Sequence, residues 1–327
     1  MSDQRPGEFE LIKRHLAPLA DNSSSLGLED DAAVFRPPAD RELVFTKDVL
    51  AENIHFFSDD PPDLIARKAL RVNLSDLAAK GATPSGYLMG LCLPTGWTED
   101  WIEQFCAGLA EDQRTYDFSL FGGDTIKSSG GLTISITAIG HVPTGSAVVR
   151  SGARPGDALY VTGTIGDAAL GLLIRQGASL SSTKEHTEFL TGRYLLPEPK
   201  MDTHTVLRDF ASAAMDISDG LAADLGHLCD ASGVGARIQL EKIPLSAAAR
   251  VVLDQDRDRF SAVIMGGDDY ELLVSVPAKH KNAFELASER LGTPVSQIGV
   301  VTEGADRLFL DEAGERLAVS KSGFTHF

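Results

Sequence analysis

The chain alternates between helical and strand-like periodicities. Leu11, Ile12, His15, Leu16 and Leu19 recur at helical spacing near the start, and Trp101, Ile102, Phe105 and Leu109 do so later. Pro62 suits the first turn of another helix, running to about Lys80, with Gly81 placed to end it. Short apolar or alternating runs predict strands at 42–46 (ELVFT), 118–121 (FSLF), 132–140 (LTISITAIG) and 159–163 (LYVTG). Residues 144–157 (TGSAVVRSGARPGD) are rich in glycine and turn formers and precede a new strand–helix unit. The pattern therefore predicts mixed α/β (α+β) folding in two domains, 1–149 and 150–327.

Charge narrows the choice of ligand. Asp and Glu number 47 against 30 Lys and Arg, a net charge of -17 over 327 residues. Such a surface repels a phosphate backbone, so nucleic acid is not expected as a partner. A phosphorylated ligand would need positive charge from something other than side chains. No apolar run approaches the ~20 residues of a membrane span, and MSDQRPGEFE has no basic start followed by an apolar stretch. Cys92, Cys106 and Cys229 lack metal-type spacing and read as buried thiols of a cytoplasmic protein.

Carboxylates recur where the chain is expected to change direction. Asp30 and Asp31 precede AAVF, Asp48 ends ELVFTKD, and Asp124 follows the two glycines of LFGGDT. Asp216 and Asp219 flank Ser218 in MDISDGL, and Asp268 and Asp269 follow the glycines of MGGDDYEL. Any one of these is accounted for by a turn or a helix cap, and Ser218 is a natural cap for the helix that follows. Asp76 shares a polar helical stripe with Asn73 and Lys80, a pattern that suits either a solvated face or the border of a site. Taken together, short acids beside glycines suit Mg²⁺, which takes oxygen ligands and usually one or two carboxylates per ion, with phosphate oxygens completing the shell. Several such ions would let an acidic protein hold a polyphosphate. No G-x-x-x-x-G-K-[ST] is present, which excludes a P-loop, and TGTIGDAALG at 162–171 lacks G-x-G-x-x-G spacing.

The series GEFELI (7–12), LEDDAAVF (28–35), TKDVLAENIHF (46–56), RKALRVNLSDLAAKGATP (67–84) and FGGDT (121–125) occurs in order. It continues with RSGARPGDALYVTG (150–163), DISDGLAADLGH (216–227), GGDDYEL (266–272) and GFTHF (323–327). This series resembles the thiamine-monophosphate kinases over essentially the whole chain. NLSDLAAKGA, GGDT and DISDGL also suit the wider superfamily of aminoimidazole ribonucleotide synthetase and selenophosphate synthetase. The resemblance implies a homodimer paired through the N-terminal domain, with ATP as co-substrate held between domains through several Mg²⁺ ions and thiamine monophosphate as acceptor. It implies metal ligands at Asp31, Thr46, Asp48, Asp76, Asp124, Asp216 and Asp219. Nucleotide contacts are implied at Gly123, Arg150 and Ser218, and substrate contacts at His55, Asp268 and Phe324. Three positions depart from the family pattern: Glu29 where Gly is frequent, Lys47 where a metal-binding Thr is usual, and Asp268 where Glu is commoner.

The chemistry implied by the resemblance needs no dedicated base. A phosphomonoester has its second pKa near ~6, so its acceptor oxygen is largely ionised at neutral pH. The obstacle is bringing two polyanions into line, and metal ions that hold attacking and leaving oxygens address it. Direct transfer without a phospho-enzyme is therefore expected. Rival readings are another synthetase of the superfamily and a non-catalytic metal-binding protein. Selenophosphate synthetase would carry a reactive cysteine near the N-terminus, and here the first cysteine is Cys92. The Ca²⁺-loop pattern of a metal-binding protein is absent.

Overall fold

A computed structural model describes residues 6–180 and 183–317. The first apolar stripe folds as a short helix α1 (Glu8–Leu11), continued by a π-helical turn over Ile12–Leu16 and a 3-10 turn over Ala17–Leu19. Pro18 has no N–H to give, and the helical ladder loses its regularity as it reaches that residue. The chain then builds β1 (Arg41–Ala51), α2 (Pro62–Ala79), β2 (Thr83–Leu93), α3 (Glu99–Tyr116), β3 (Ser119–Lys127) and β4 (Thr133–Pro143). The sheet order is β1-β4-β2-β3, antiparallel except for the β2–β3 pair, whose parallel sense requires the α3 crossover.

One face of this sheet meets the helices. The Asn73 side chain on α2 accepts the Asp48 N–H at 3.1 Å, and Gln113 on α3 donates to the Tyr87 hydroxyl on β2 at 3.1 Å. Asp112, fully buried on α3, ties the helices together. It takes Arg67 Nε at 3.0 Å and Arg71 Nε at 2.7 Å, both from α2. Alternation sends Leu43, Phe45, Lys47 and Val49 of β1 to the opposite face, where Phe45 is 60 % exposed. Leu88 of β2 and Ile126 of β3 are also exposed.

Two strands run further than their hydrophobic patterns predict. Asp48 lies within β1 and not at its exit, because β1 stays paired with β4 as far as Ala51. The GGD of 122–124 likewise belongs to β3 and is no turn. A Cβ at Gly123 would sit 1.9 Å from the Met89 carbonyl oxygen of β2, so only glycine lets the parallel strands approach there.

The chain divides into two units, the first ending at Gly145 and the second beginning at Ser146 and also taking Ala78–Gly81. The second unit holds β5 (Ala158–Thr162), α4 (Asp167–Arg175), α5 (Lys184–Leu195), α6 (His204–Phe210), β6 (Ala213–Ile217) and α7 (Leu221–Ser232). It continues with β7 (Gly235–Gln239), α8 (Ala247–Gln255), α9 (Phe260–Met265), β8 (Glu271–Val276), α10 (Lys281–Arg290), β9 (Val295–Thr302) and β10 (Arg307–Leu310). Six strands pair in the order β10-β7-β9-β5-β8-β6, antiparallel except for β10–β7. Strands β5, β6 and β8 are buried at every residue, so both sheet faces are covered. Leu159, Val161, Met215 and Leu273 pack with Leu170, Leu225 and Ile264 from the helices in one core. On the other face Tyr160 meets Phe284 of α10 edge-on, ring centroids 5.1 Å apart.

Among the described residues no helix is long and apolar enough to cross a membrane. Cys106 and Cys229 are buried, as expected, and burial pushes their thiols up to about 12 and about 11. Cys92 is only half-buried, because it lies on the less covered face of β2.

Candidate active site

In the first unit the expected metal ligands fall into two groups. Asp31, Gly123 and Asp124 line one cavity of about 510 Å³, together with Asp30 and the apolar Phe35 and Phe121. The segment bearing Asp30 and Asp31 is held down by Asn22. Its Oδ1 accepts from Ser24 and Ser25 N–H at 3.0 Å, while its Nδ2 donates to the Leu120 carbonyl of β3 at 2.9 Å. Phe35 then packs on Phe121, with centroids 5.2 Å apart. Two stretches far apart in sequence thereby present carboxylates to the same space.

The second group sits where β1 crosses α2. Thr46 Oγ1 donates to Asp76 Oδ2, and Asp48 lies two residues along the same face of β1. Burial first, and then the charge of Asp76, push the Asp48 carboxyl up to about 7. No lysine or arginine among the described residues pairs with Asp48. A half-buried carboxylate beside a second one, with no cation of its own, is the donor set that suits a divalent ion. Lys47 does not disturb this group. It points to the other face, where Nζ donates to Ser135 Oγ at 2.5 Å and Thr137 Oγ1 at 3.4 Å. Asn73, read in the sequence only as part of a polar stripe, fixes the Asp48 backbone.

His55 lies in the turn after β1. Its Nδ1 accepts the Ala51 N–H at 3.0 Å, which places the ring proton on Nε2, and its carbonyl accepts from Lys68 Nζ at 3.0 Å.

In the second unit, β6 ends in the turn Ser218–Asp219–Gly220 before α7. Ser218 does not cap that helix. Gly220 occupies the cap position, and the buried Asp224 reaches back to accept the Asp219 N–H at 3.0 Å. Ligand atoms of Asp219, Asp224 and His227 lie within 4.8 Å of one another. Asp216 is not among them and lies buried within β6. Burial, and then the charge of Asp219, push the Asp224 carboxyl up to about 7, while Arg150 pulls the other way. Arg150 therefore acts on this acidic turn, its carbonyl held by Ser232 Oγ at 3.2 Å. Spacing alone could have flagged Asp224 and His227, which sit three apart on α7 and so share a helical face.

The turn is braced by the GGDDYEL segment. Asp268 N–H donates to the Ser218 carbonyl at 2.9 Å and Tyr270 N–H to Ile217 at 2.8 Å. A Cβ on Gly267 would lie 2.2 Å from the Ser218 carbonyl oxygen, and one on Gly220 would lie 2.6 Å from that of Met265. Gly267→Ala is accordingly expected to cost about 1–3 kcal/mol, read as a lower melting temperature. Within the segment the other two acids serve the fold. Asp269 is fully buried and caps α4 through the Gly166 N–H at 2.7 Å; burial raises its carboxyl well above the usual range. Glu271 is held by Thr162 Oγ1 at 2.6 Å and Arg193 Nη2 at 2.8 Å. Phe324, the remaining expected substrate contact, lies outside the described residues.

Family models described as AIR synthase related protein, N-terminal domain and C-terminal domain, match residues 29–142 and 154–311. A thiamine-monophosphate kinase of Caulobacter vibrioides is 41% identical over 325 residues, covering 98% of this chain and 91% of that one. The crystal structure of thiamine-monophosphate kinase from Stenotrophomonas maltophilia K279a is 40% identical with a TM-score of 0.84, covering 95% of this chain and 98% of that one. A solved structure of AaThiL complexed with AMPPCP and TMP is 31% identical with a TM-score of 0.78, covering 100% of both chains.

Proposed function

The chain belongs to the thiamine-monophosphate kinase family of the AIR synthase related proteins, and from that premise we propose how its acidic groups carry the family's reaction. The protein is an ATP-dependent kinase that phosphorylates thiamine monophosphate to thiamine diphosphate. The observation that carries the metal-assisted reading is the Asp48–Asp76 pair beside Thr46, a set of oxygens with no side-chain cation on Asp48. Asp31 and Asp124 would hold metal from the 510 Å³ cavity, and Asp216 and Asp219 from the β6–α7 turn. Mg²⁺ bound at these groups would neutralise the polyphosphate. Gly123 and Ser218 contact the nucleotide, and Arg150 contributes the fixed positive charge. His55, Asp268 and Phe324 contact thiamine monophosphate, with Asp268 suited to accept from the exocyclic amine of the aminopyrimidine. The acceptor phosphate needs no base, so transfer is direct and in line, with no phospho-enzyme.

The bare apolar face formed by Leu43, Phe45, Val49, Leu88 and Ile126 supports a homodimer built on the first unit's sheet. The absence of membrane-length helices among the described residues is compatible with a cytoplasmic enzyme.

Incubation with ATP, Mg²⁺ and thiamine monophosphate, followed by chromatography of the thiamine phosphates, tests the activity. Thiamine diphosphate and ADP are expected in equal amounts, with none from unphosphorylated thiamine. Asp216→Asn is expected to reduce turnover by about 10²–10³-fold with an unchanged circular dichroism spectrum. Near-normal activity in that variant would remove Asp216 from the metal set.

A further inference from the structure

A cavity of about 630 Å³ lies within the second unit, walled by α5, the connection that follows it and the start of β8. Its lining includes Phe189, Arg193, Glu198, Lys200, Glu271 and Pro294. The buried charges are fixed in place. Glu271 accepts from Thr162 Oγ1 at 2.6 Å and Arg193 Nη2 at 2.8 Å, and pairs with Lys200 Nζ at 3.2 Å. A Cβ on Gly163 would lie 2.2 Å from Glu271 Oε1, so a glycine there leaves room for the carboxylate. The side chains of Arg193 and Lys200 are only 10 % and 15 % exposed. Two nearly buried cations thus face one buried carboxylate, and a second negative charge is needed to balance them.

Glu198 supplies that charge from the solvent side. Its side chain is 63 % exposed, and its Oε2 lies 3.0 Å from Arg193 Nη1 and 3.8 Å from Lys200 Nζ. Pro197 and Pro199 flank it, so the backbone is stiff there while the side chain is free to turn away. Water competes for so exposed a carboxylate, and its hold on the cations is weak. Asp202, the other acid of the lining, is exposed as well. An oxygen held between two converging cations marks a place for an anion. A phosphate dianion gains from both cations at once, and the guanidinium fork matches its oxygens. Phe189 stands one helical turn before Arg193 on α5 and is exposed in the cavity wall. Its ring offers a face to an aromatic body attached to the phosphate. The volume is within the range of small-molecule sites.

We propose that this cavity is a second anion site, built without the acidic groups assigned to metal, that binds a small phosphomonoester carrying an aromatic ring. The phosphate displaces Glu198 from Arg193 and Lys200, and the ring lies on Phe189. Glu271 stays in place and keeps the two cations aimed at the cavity. Binding needs no metal ion.

Calorimetric titration of the full chain in chelator reads this site directly, because without Mg²⁺ the acidic groups repel phosphate. Phenyl phosphate is expected to bind saturably, one per chain, and inorganic phosphate several-fold more weakly. Glu198→Gln removes the competing carboxylate and should tighten phenyl phosphate about tenfold, whereas Lys200→Gln should weaken it about tenfold. In Lys200→Gln the buried Glu271 keeps Arg193 and Thr162, so the fold survives. Phe189→Ala should bring phenyl phosphate down to the affinity of inorganic phosphate. An ion pair that serves only the fold leaves the affinity of Glu198→Gln at the wild-type value. That result, or equal affinity in Lys200→Gln and wild type, overturns the proposal. Neither ATP nor Mg²⁺ enters the titration, so a failure of the kinase reading leaves its outcome standing.

Discussion

Replacing Asp48 by Asn is expected to stabilise the metal-free protein while lowering kcat/KM about 10³-fold, on the order of 4 kcal/mol of transition-state stabilisation. The two effects have one cause. Burial and the neighbouring Asp76 raise the Asp48 carboxyl from 3.8 to about 7 in the folded chain. Between those values the folded protein binds more protons than the unfolded one, so its stability falls as pH rises. Above about pH 7 the penalty is complete. A tenfold difference in proton affinity between the two states is worth about 1.4 kcal/mol, and residual solvent screening of a partly buried group reduces the total to roughly 2 kcal/mol. Asn carries no charge and escapes the penalty. Thermal melts in chelator should show the variant several degrees above wild type at pH 8 and level with it at pH 4. With Mg²⁺ and ATP the order should reverse, since the wild type binds the metal–nucleotide more tightly. A variant that is destabilised in chelator at pH 8 contradicts this account.

Asp112→Ala should have the opposite signature, a large loss of stability with the chemistry intact. Asp112 is completely buried and satisfies Arg67 and Arg71, and the Arg71 guanidinium also lies over the Tyr116 ring at 5.5 Å. Removing the carboxylate leaves two guanidiniums facing each other across the α2–α3 contact without a counter-charge. Breaking such a pair from one side costs about 3–5 kcal/mol. The melting temperature should drop by roughly 10 °C or more. Asp112→Asn keeps one acceptor and should lose less. Assayed well below its transition, the alanine variant should keep kcat within a few-fold of wild type, because Asp112 touches no reacting group. A stable variant with lost activity would assign Asp112 to the site itself.

These two acids show what can and cannot be read along the chain. Helical stripes are legible because period and punctuation agree. Pro62 and Gly81 bracket α2, and Ile102, Phe105 and Leu109 of α3 are buried. Strand length is not, because β1 and β3 continue through polar and glycine-rich residues whose role is pairing rather than burial. The acid-rich turns are visible as a set, but their division is hidden. Nothing in GGDDYEL distinguishes Asp268, half-buried beside Ser218, from Asp269, which caps α4. Asp224 and His227 escape notice because they sit inside a helix, where a polar pair reads as a solvated face. Lys47 looks disruptive next to Asp48 until strand alternation places the two on opposite faces.

The glycines packed against backbone carbonyls have a consequence for how this protein can vary. At Gly123, Gly220 and Gly267 the obstacle to a side chain is a carbonyl oxygen, which no rotamer change can move aside. Any side chain at those positions carries a steric cost, whatever the substrate. A lineage drifting toward a different acceptor could exchange Asp268 and keep its fold. It would tend to carry the glycines unchanged, so they record descent where the ligand-contacting residues record present use.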